Sequence, residues 1–253
     1  MFKINKIFFF LWIVPLGGAF CKSGGYTNTQ IRPFVVKLGA SRIVYTLPSS
    51  GGSSLVVYNK QNYPILIQSV ILDAMRKKHG DLIVTPPLFR LDAGQQSRIR
   101  IEDIGYAFPT DRESLNWLCV KGIPPQNEDI WASSGGKSNL KDMNVDIQVS
   151  VNSCIKLLVR PSQIQEGVEN AASSVVWTKE HGKLIANNPT PYYINISFVK
   201  LGILMPKNID YIPPYKKYFF TFPEHIPENI STVTWGVVTD SGVEKTMQSA
   251  LTH

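Results

Sequence analysis

The chain has 253 residues, long for one ordinary domain and comfortable for two of roughly 100–130 each. At 43% apolar and 18% charged it lies outside the disordered class, and no stretch reaches the ~20 apolar residues of a membrane helix. The net charge of +7 is mild and its cations are spread along the chain, which argues against a nucleic-acid partner.

Residues 1–21 read as a secretory signal peptide. Lys3 and Lys6 precede an apolar run from Ile7 to Phe20, with the small residues Gly17, Gly18 and Ala19 near its end. Its removal takes away two lysines and no acid, leaving +5, and no membrane insertion is expected afterwards. Phe20 is a poor neighbour for a lipidated Cys21, so the mature chain is expected to keep Cys119 and Cys154. In an oxidising compartment an even pair invites a disulfide.

Gly24 to Thr29 reads as a polar leader. Short β-branched and aromatic segments follow, separated by Pro, Gly, Ser and Asn: 41–47, 54–58, 64–71, 98–101 and 116–120. Later ones are Val145 to Val159, Pro191 to Val199, Tyr218 to Phe222 and Val233 to Val238. Strand signals at this spacing, with almost no stretch at helical period, predict an all-β sandwich protein. The mature length holds two sandwiches, 22–161 and 162–253, divided after Arg160-Pro161 because Pro forbids simple continuation of the strand. Arg76-Lys77-Lys78-His79, the densest basic run, reads as a solvated turn between two strands.

Catalytic machinery is hard to find. His79, His181, His225 and His253 have no metal-ligand spacing and no nearby cysteine or acid cluster. Gly135-Gly136-Lys137-Ser138 has the tail of a phosphate loop, but Trp131 stands where the leading glycine belongs. Ser153-Cys154-Ile155-Lys156 fits a Ser-x-x-Lys pattern inside a strand-like run, without the partner motifs that such enzymes need. No nucleophile–base or metal constellation remains, so no enzyme and no cofactor is expected.

One segment stands out. Met143, Val145, Ile147, Val149 and Val151 alternate with polar residues, which puts five apolar side chains on one face of an extended strand. An ordinary half-buried strand has the same pattern. Directly afterwards come Cys154 and then Lys156, set among Ile155, Leu157 and Leu158. A lysine there calls for an anionic partner, because burying it unpaired costs several kcal/mol.

Four ordered blocks, 84–91, 111–117, 120–125 and 155–161, with Ser41 to Tyr45 before them, resemble the periplasmic pilus-assembly chaperones. The resemblance is strong over 32–161 and weaker over 162–253, where Asn188 to Tyr193 and Trp235 to Gly242 carry it. It implies two immunoglobulin-like β-sandwich domains in an L-shaped (boomerang) arrangement. It also implies a function: binding fimbrial or adhesin subunits that lack their final strand, lending that strand, and delivering them to an outer-membrane usher. No nucleotide is needed, since the subunit's own folding drives the exchange.

The resemblance further makes Met143, Val145, Ile147, Val149 and Val151 the donor strand, and Arg42 with Lys156 the anchor for the subunit's terminal carboxylate. Arg100, Glu113, Arg160 and Asp240 match a charged bridge between the domains. The long segment from Gln126 to Asp142, the extended leader from Tyr26 to Val36, and the positions of Cys119 and Cys154 resemble the long F–G-loop subclass, which serves capsule-like and afimbrial adhesins. A secreted immunoglobulin-like adhesin or carbohydrate-binding module is the alternative, and it requires neither the cationic pair nor the ladder.

Overall fold

The computed structural model describes residues 30–34, 36–48, 51–77, 79–105, 107–125 and 146–252, with backbone alone for 30–34 and 146–149. The signal segment 1–21, Cys21, Met143, Val145 and the segment from Gln126 to Asp142 lie outside the described residues.

Alternation of apolar and polar residues builds the first sandwich. In β5 (Ile65–Leu72), Ile65, Ile67 and Ile71 turn inward while Gln68 faces out. β5 belongs to a five-stranded sheet ordered β3 (Arg42–Leu47), β11 (Asn152–Pro161), β9 (Ser114–Ile123), β5 and β7 (Leu88–Leu91). The facing sheet is β2 (Lys37–Leu38), β4 (Ser53–Tyr58), β8 (Gln96–Asp103) and β6 (Leu82–Thr85). Leu55, Val57, Ile99 and Ile101 from one sheet meet Ile65, Ile67, Leu118 and Leu157 from the other in a single core.

The second sandwich begins after β11 ends at Pro161. A short helix, α1 (Val168–Ser173), buries Val168, Ala171 and Ala172 against it. Seven strands follow: β12 (Val176–Glu180), β13 (Lys183–Asn187), β14 (Ile194–Lys200), β15 (Tyr211–Ile212), β16 (Lys217–Phe220), β17 (Thr232–Val238) and β18 (Glu244–Thr252). They are ordered β15-β14-β17-β18-β12-β13-β16 around Trp177, Trp235 and Phe220. Asn188, fully buried, donates to the carbonyls of Tyr192, Ile212 and Pro213 and accepts from Thr190, tying the loop ahead of β14 to the one after β15. Asn59 does the same work in the first sandwich for the loops at Tyr63 and Leu91.

Both faces of β9 are covered. Leu118 and Val120 enter the first core, while Leu115, Trp117 and Cys119 face the other way. With Leu158 they form a small apolar cluster against Tyr193 and Tyr211 of the second sandwich. The nearly unbroken apolar run Trp117 to Val120 is the sequence mark of a strand buried on two sides.

The expected single strand from Val145 to Val159 is two. β10 (Asp146–Ser150) and β11 are separated by Val151, which is in neither. β11 follows β9 only as far as Asn152 against Lys121, and β9 ends two residues later at Ile123. Beyond the break, β10 pairs in parallel with β1 (Gln30–Phe34), Ile147 beside Ile31 and Val149 beside Pro33. Ser150 Oγ donates to the Gly122 carbonyl at 2.6 Å, binding the junction to β9 by a side chain instead of the ladder.

Candidate functional site

Period-two alternation along β11 sends Leu157 and Val159 into the core and Cys154, Lys156, Leu158 and Arg160 toward the second sandwich. Lys156 pairs in parallel register with Arg42, the first residue of β3, so the two cations stand side by side on adjacent strands. Lys156 Nζ donates to Asn195 Oδ1 of β14 at 2.6 Å and lies 4.7 Å from the centre of the Tyr211 ring. Arg42 Nη1 donates to the Val238 carbonyl at the end of β17 at 2.9 Å. Its Nε is buried without an acceptor among the described residues.

Both cations are held away from their ordinary ionisation. Burial, with Arg42 and Arg76 nearby and only Asp210 opposing, brings the Lys156 ammonium down to about 8. Burial likewise lowers Arg42, against the fields of Asp240 and Glu113. Two neighbouring cations with spare donor capacity form a receptor for an anion, and a carboxylate matches them in charge and geometry.

Four residues along β11 from Lys156, Arg160 makes the opposite arrangement. Its guanidinium grips Asp240 through two bonds of 2.7 and 2.8 Å and gives Nε to Glu113 Oε1 at 2.7 Å. Glu113 Oε2 accepts the Tyr193 backbone N–H at 2.7 Å. Burial works against the Arg160 charge, but the bonds from Asp240 and the field of Glu113 hold it above its ordinary value. These three residues join the sandwiches.

Arg100 does not belong with them. It lies on β8 in the facing sheet, its exposed side chain paired with Glu102 and with the Gly51 carbonyl. Residues of β8 that turn inward, Ile99 and Ile101, face the core, so the alternation turns Arg100 to solvent.

Cys119 and Cys154 are cross-strand partners in the β9–β11 ladder and form a disulfide, Cα to Cα 4.0 Å, spanning 35 residues. By the chain-entropy model closing such a loop stabilises by about 4 kcal/mol. Of the ladder itself, Ile147 and Val149 lie on β10 and Val151 is 37% exposed.

Two neighbours of Arg42 and Lys156, Asn195 and Arg76, carry no site role in the sequence pattern. Asn195 is 2% exposed, and the signal for it was a lone amide in the apolar alternation Ile194, Ile196. Arg76 lies in the exposed turn expected for it, and its guanidinium also stacks 3.6 Å from the centre of the Trp117 ring. No local pattern announces a contact between residues 41 positions apart.

Gly242 packs against Ser41, the residue before Arg42. In the β17–β18 turn it adopts φ 84°, and a Cβ there would fall 2.4 Å from Ser41 Oγ. Gly242→Ala should therefore lower stability by about 1–2 kcal/mol, chiefly through the φ strain, since Ser41 Oγ can rotate aside. Adding Ser41→Gly should remove the contact and leave the φ strain, which paired thermal melts of the two variants would separate.

Two family models match the chain: "Pili and flagellar-assembly chaperone, PapD N-terminal domain" over residues 35–165 and "Pili assembly chaperone PapD, C-terminal domain" over 170–249. The chaperone protein AggD of Escherichia coli is 42% identical over 255 residues, 98% of this chain and 99% of the relative. The crystal structure of the E. coli chaperone DraB aligns with a TM-score of 0.74 at 40% identity, covering 88% of this chain and 100% of that one. The SafB chaperone in complex with the SafA pilin, from Salmonella enterica, aligns with a TM-score of 0.76 at 36% identity and the same coverage.

Proposed function

The chain belongs to the PapD-like pilus-assembly chaperone family, and from that premise we propose that it captures fimbrial or adhesin subunits by donor-strand complementation. Capture needs no nucleotide, and an outer-membrane usher receives the loaded subunit. Residues 1–21 direct the chain to the periplasm, 22–161 carry the donor strand, and 162–253 close the cleft.

The observation that carries the reading is the pair Arg42 and Lys156, side by side in register and half-buried on the face toward the second sandwich. A terminal carboxylate takes charge-assisted bonds from the two cations and fixes where the subunit chain stops. Fixing that end sets the register in which the donor segment Met143, Val145, Ile147, Val149 and Val151 lies along the subunit, and a slip of one residue would turn every side chain to the wrong face. Backbone bonds from the donor satisfy the subunit's open edge, which would otherwise template aggregation. The Cys119–Cys154 bridge lies directly between anchor and donor and holds them in line before the subunit arrives.

Purification of the tagged chaperone from the periplasm should bring down a subunit identifiable by mass spectrometry. Val149→Asp should abolish its recovery by putting a charge in the subunit's apolar groove, and Gln148→Asp should leave it nearly intact. Equal recovery by the two variants would refute the donor face, and the absence of any subunit would refute the reading.

A further inference from the structure

The loop between β5 and β6 carries a cation that the anchor pair does not include. Arg76 lies 3.6 Å from the centre of the Trp117 ring, and Lys156 Nζ lies 5.9 Å from the same ring, so the two cations are less than 10 Å apart. The loop holds Arg76 there with three bonds. Trp117 Nε1 donates to the Ala74 carbonyl at 3.2 Å, Arg76 N to the Asp73 carbonyl at 2.9 Å, and Lys77 N to Asp73 Oδ1 at 2.9 Å. Arg76 itself sits at φ 58°, a left-handed conformation that a residue with a Cβ enters at a cost.

Stacking at this distance engages a flat face of the guanidinium, and the exposed side chain keeps N–H donors available to a carboxylate. Among the described residues no acceptor takes a bond from those donors. Arg42 and Lys156 are half-buried while Arg76 is exposed, so it stands at the mouth of the same cleft. Three like charges gathered this closely repel one another in the free protein, and an arriving anion turns that repulsion into attraction.

We propose that Arg76 is a third subunit-binding cation, which draws the subunit's terminal carboxylate to the cleft before Arg42 and Lys156 close on it. The proposal rests on the anchoring reading and adds a residue and a step to it. Because the contact is exposed, it acts on the association rate more than on the lifetime of the complex. One charge about 7 Å from a carboxylate, in a solvent-rich setting, changes capture about three- to fivefold at low salt. Most of that is lost at high ionic strength.

The test uses the mature chaperone and a dansylated peptide of alternating Ser and Val, twelve residues long, made with a free terminal carboxylate and with a terminal amide. Stopped-flow association is compared for wild type, Arg76→Ala, Arg76→Lys and Arg90→Ala, at 20 mM and 500 mM NaCl. Arg90 lies on β7, three strands from β11, and its loss removes the same net charge far from the cleft. Arg76→Ala should slow capture of the acid about three- to fivefold at low salt only, with dissociation little changed. Arg76→Lys should keep most of the rate, and Arg90→Ala nearly all of it. If the acid binds better than the amide but Arg76→Ala behaves like Arg90→Ala, the proposal fails and the anchor stands. If acid and amide bind alike, the anchor reading fails as well.

Discussion

Arg160→Met should cost the free chaperone about 3–5 kcal/mol at neutral pH, the largest loss expected from any single change outside the two cores. The Glu113 side chain is fully buried, and two of its partners are the Arg160 guanidinium and the Tyr193 N–H. Removing the arginine leaves a buried carboxylate with one neutral donor, and it also frees Asp240 and the end of β17. Burial already raises Glu113 above its ordinary 4.5 even with Arg160 pulling it down, so the variant raises it further. A carboxyl whose folded value exceeds its unfolded one favours the fold while protonated and opposes it once ionised. The variant should therefore melt nearest to wild type at about pH 4.5 and fall away as pH rises toward neutrality. Adding Glu113→Gln removes the orphan charge and should restore much of the loss, with a flat pH profile. Melts of the single and double variants across that range decide the matter, and a single variant that melts like wild type at pH 7 would refute the structural role of the bridge.

Glu113, Arg160 and Asp240 were legible in the sequence only through the resemblance, since they come from three segments as far as 127 residues apart. Arg100 entered with them by position and not by any property of its own. The strands were legible for a simpler reason. A sandwich buries one face of each strand, so β5 and β8 show their alternation directly. α1 was not, because a helix of six residues is too short to show a 3.6-residue period. The break at Val151 was hidden for the opposite reason. The alternation runs unbroken from Met143 to Val151, and what breaks the strand is the loss of pairing with β9 beyond Asn152 and Lys121, which involves a different segment. Arg76 shows the same limit at the cleft. Its local sequence is that of a turn, and the turn is real, but Trp117 gives that turn a floor.

Arg42 and Lys156, the proposed anchor, share this dependence on distant partners, and it makes Lys156 testable by pH. Lys156→Met should weaken subunit capture about ten- to hundredfold, the worth of a charge-assisted bond of about 1.5–3 kcal/mol. The methionine keeps the apolar stem, so the free protein should stay folded. It loses the bond to Asn195 but also a half-buried charge beside Arg42. The groups that face the ammonium are Asp210, Arg42, Arg76 and the Tyr211 ring, and burial outweighs the one acid among them, leaving Lys156 at about 8.

A bound carboxylate favours the charged form and raises that value, so capture at alkaline pH must take up a proton. Affinity should be level below about pH 8 and then fall, by up to tenfold per unit, until the raised value of the complex is passed. The free chaperone should respond in the opposite sense. Its Lys156 lies below the 10.5 of the unfolded chain, so the charged form penalises the fold at every pH below about 8. That penalty is relieved between about 8 and 10.5, and this group makes the fold more stable as pH rises through that window. Titration calorimetry and thermal melts from pH 6.5 to 9.5, on wild type and Lys156→Met, should show affinity falling while this contribution to stability rises. Both slopes should be missing in the variant. An alkaline loss of affinity that survives in Lys156→Met would place the titrating group elsewhere and remove Lys156 from the anchor.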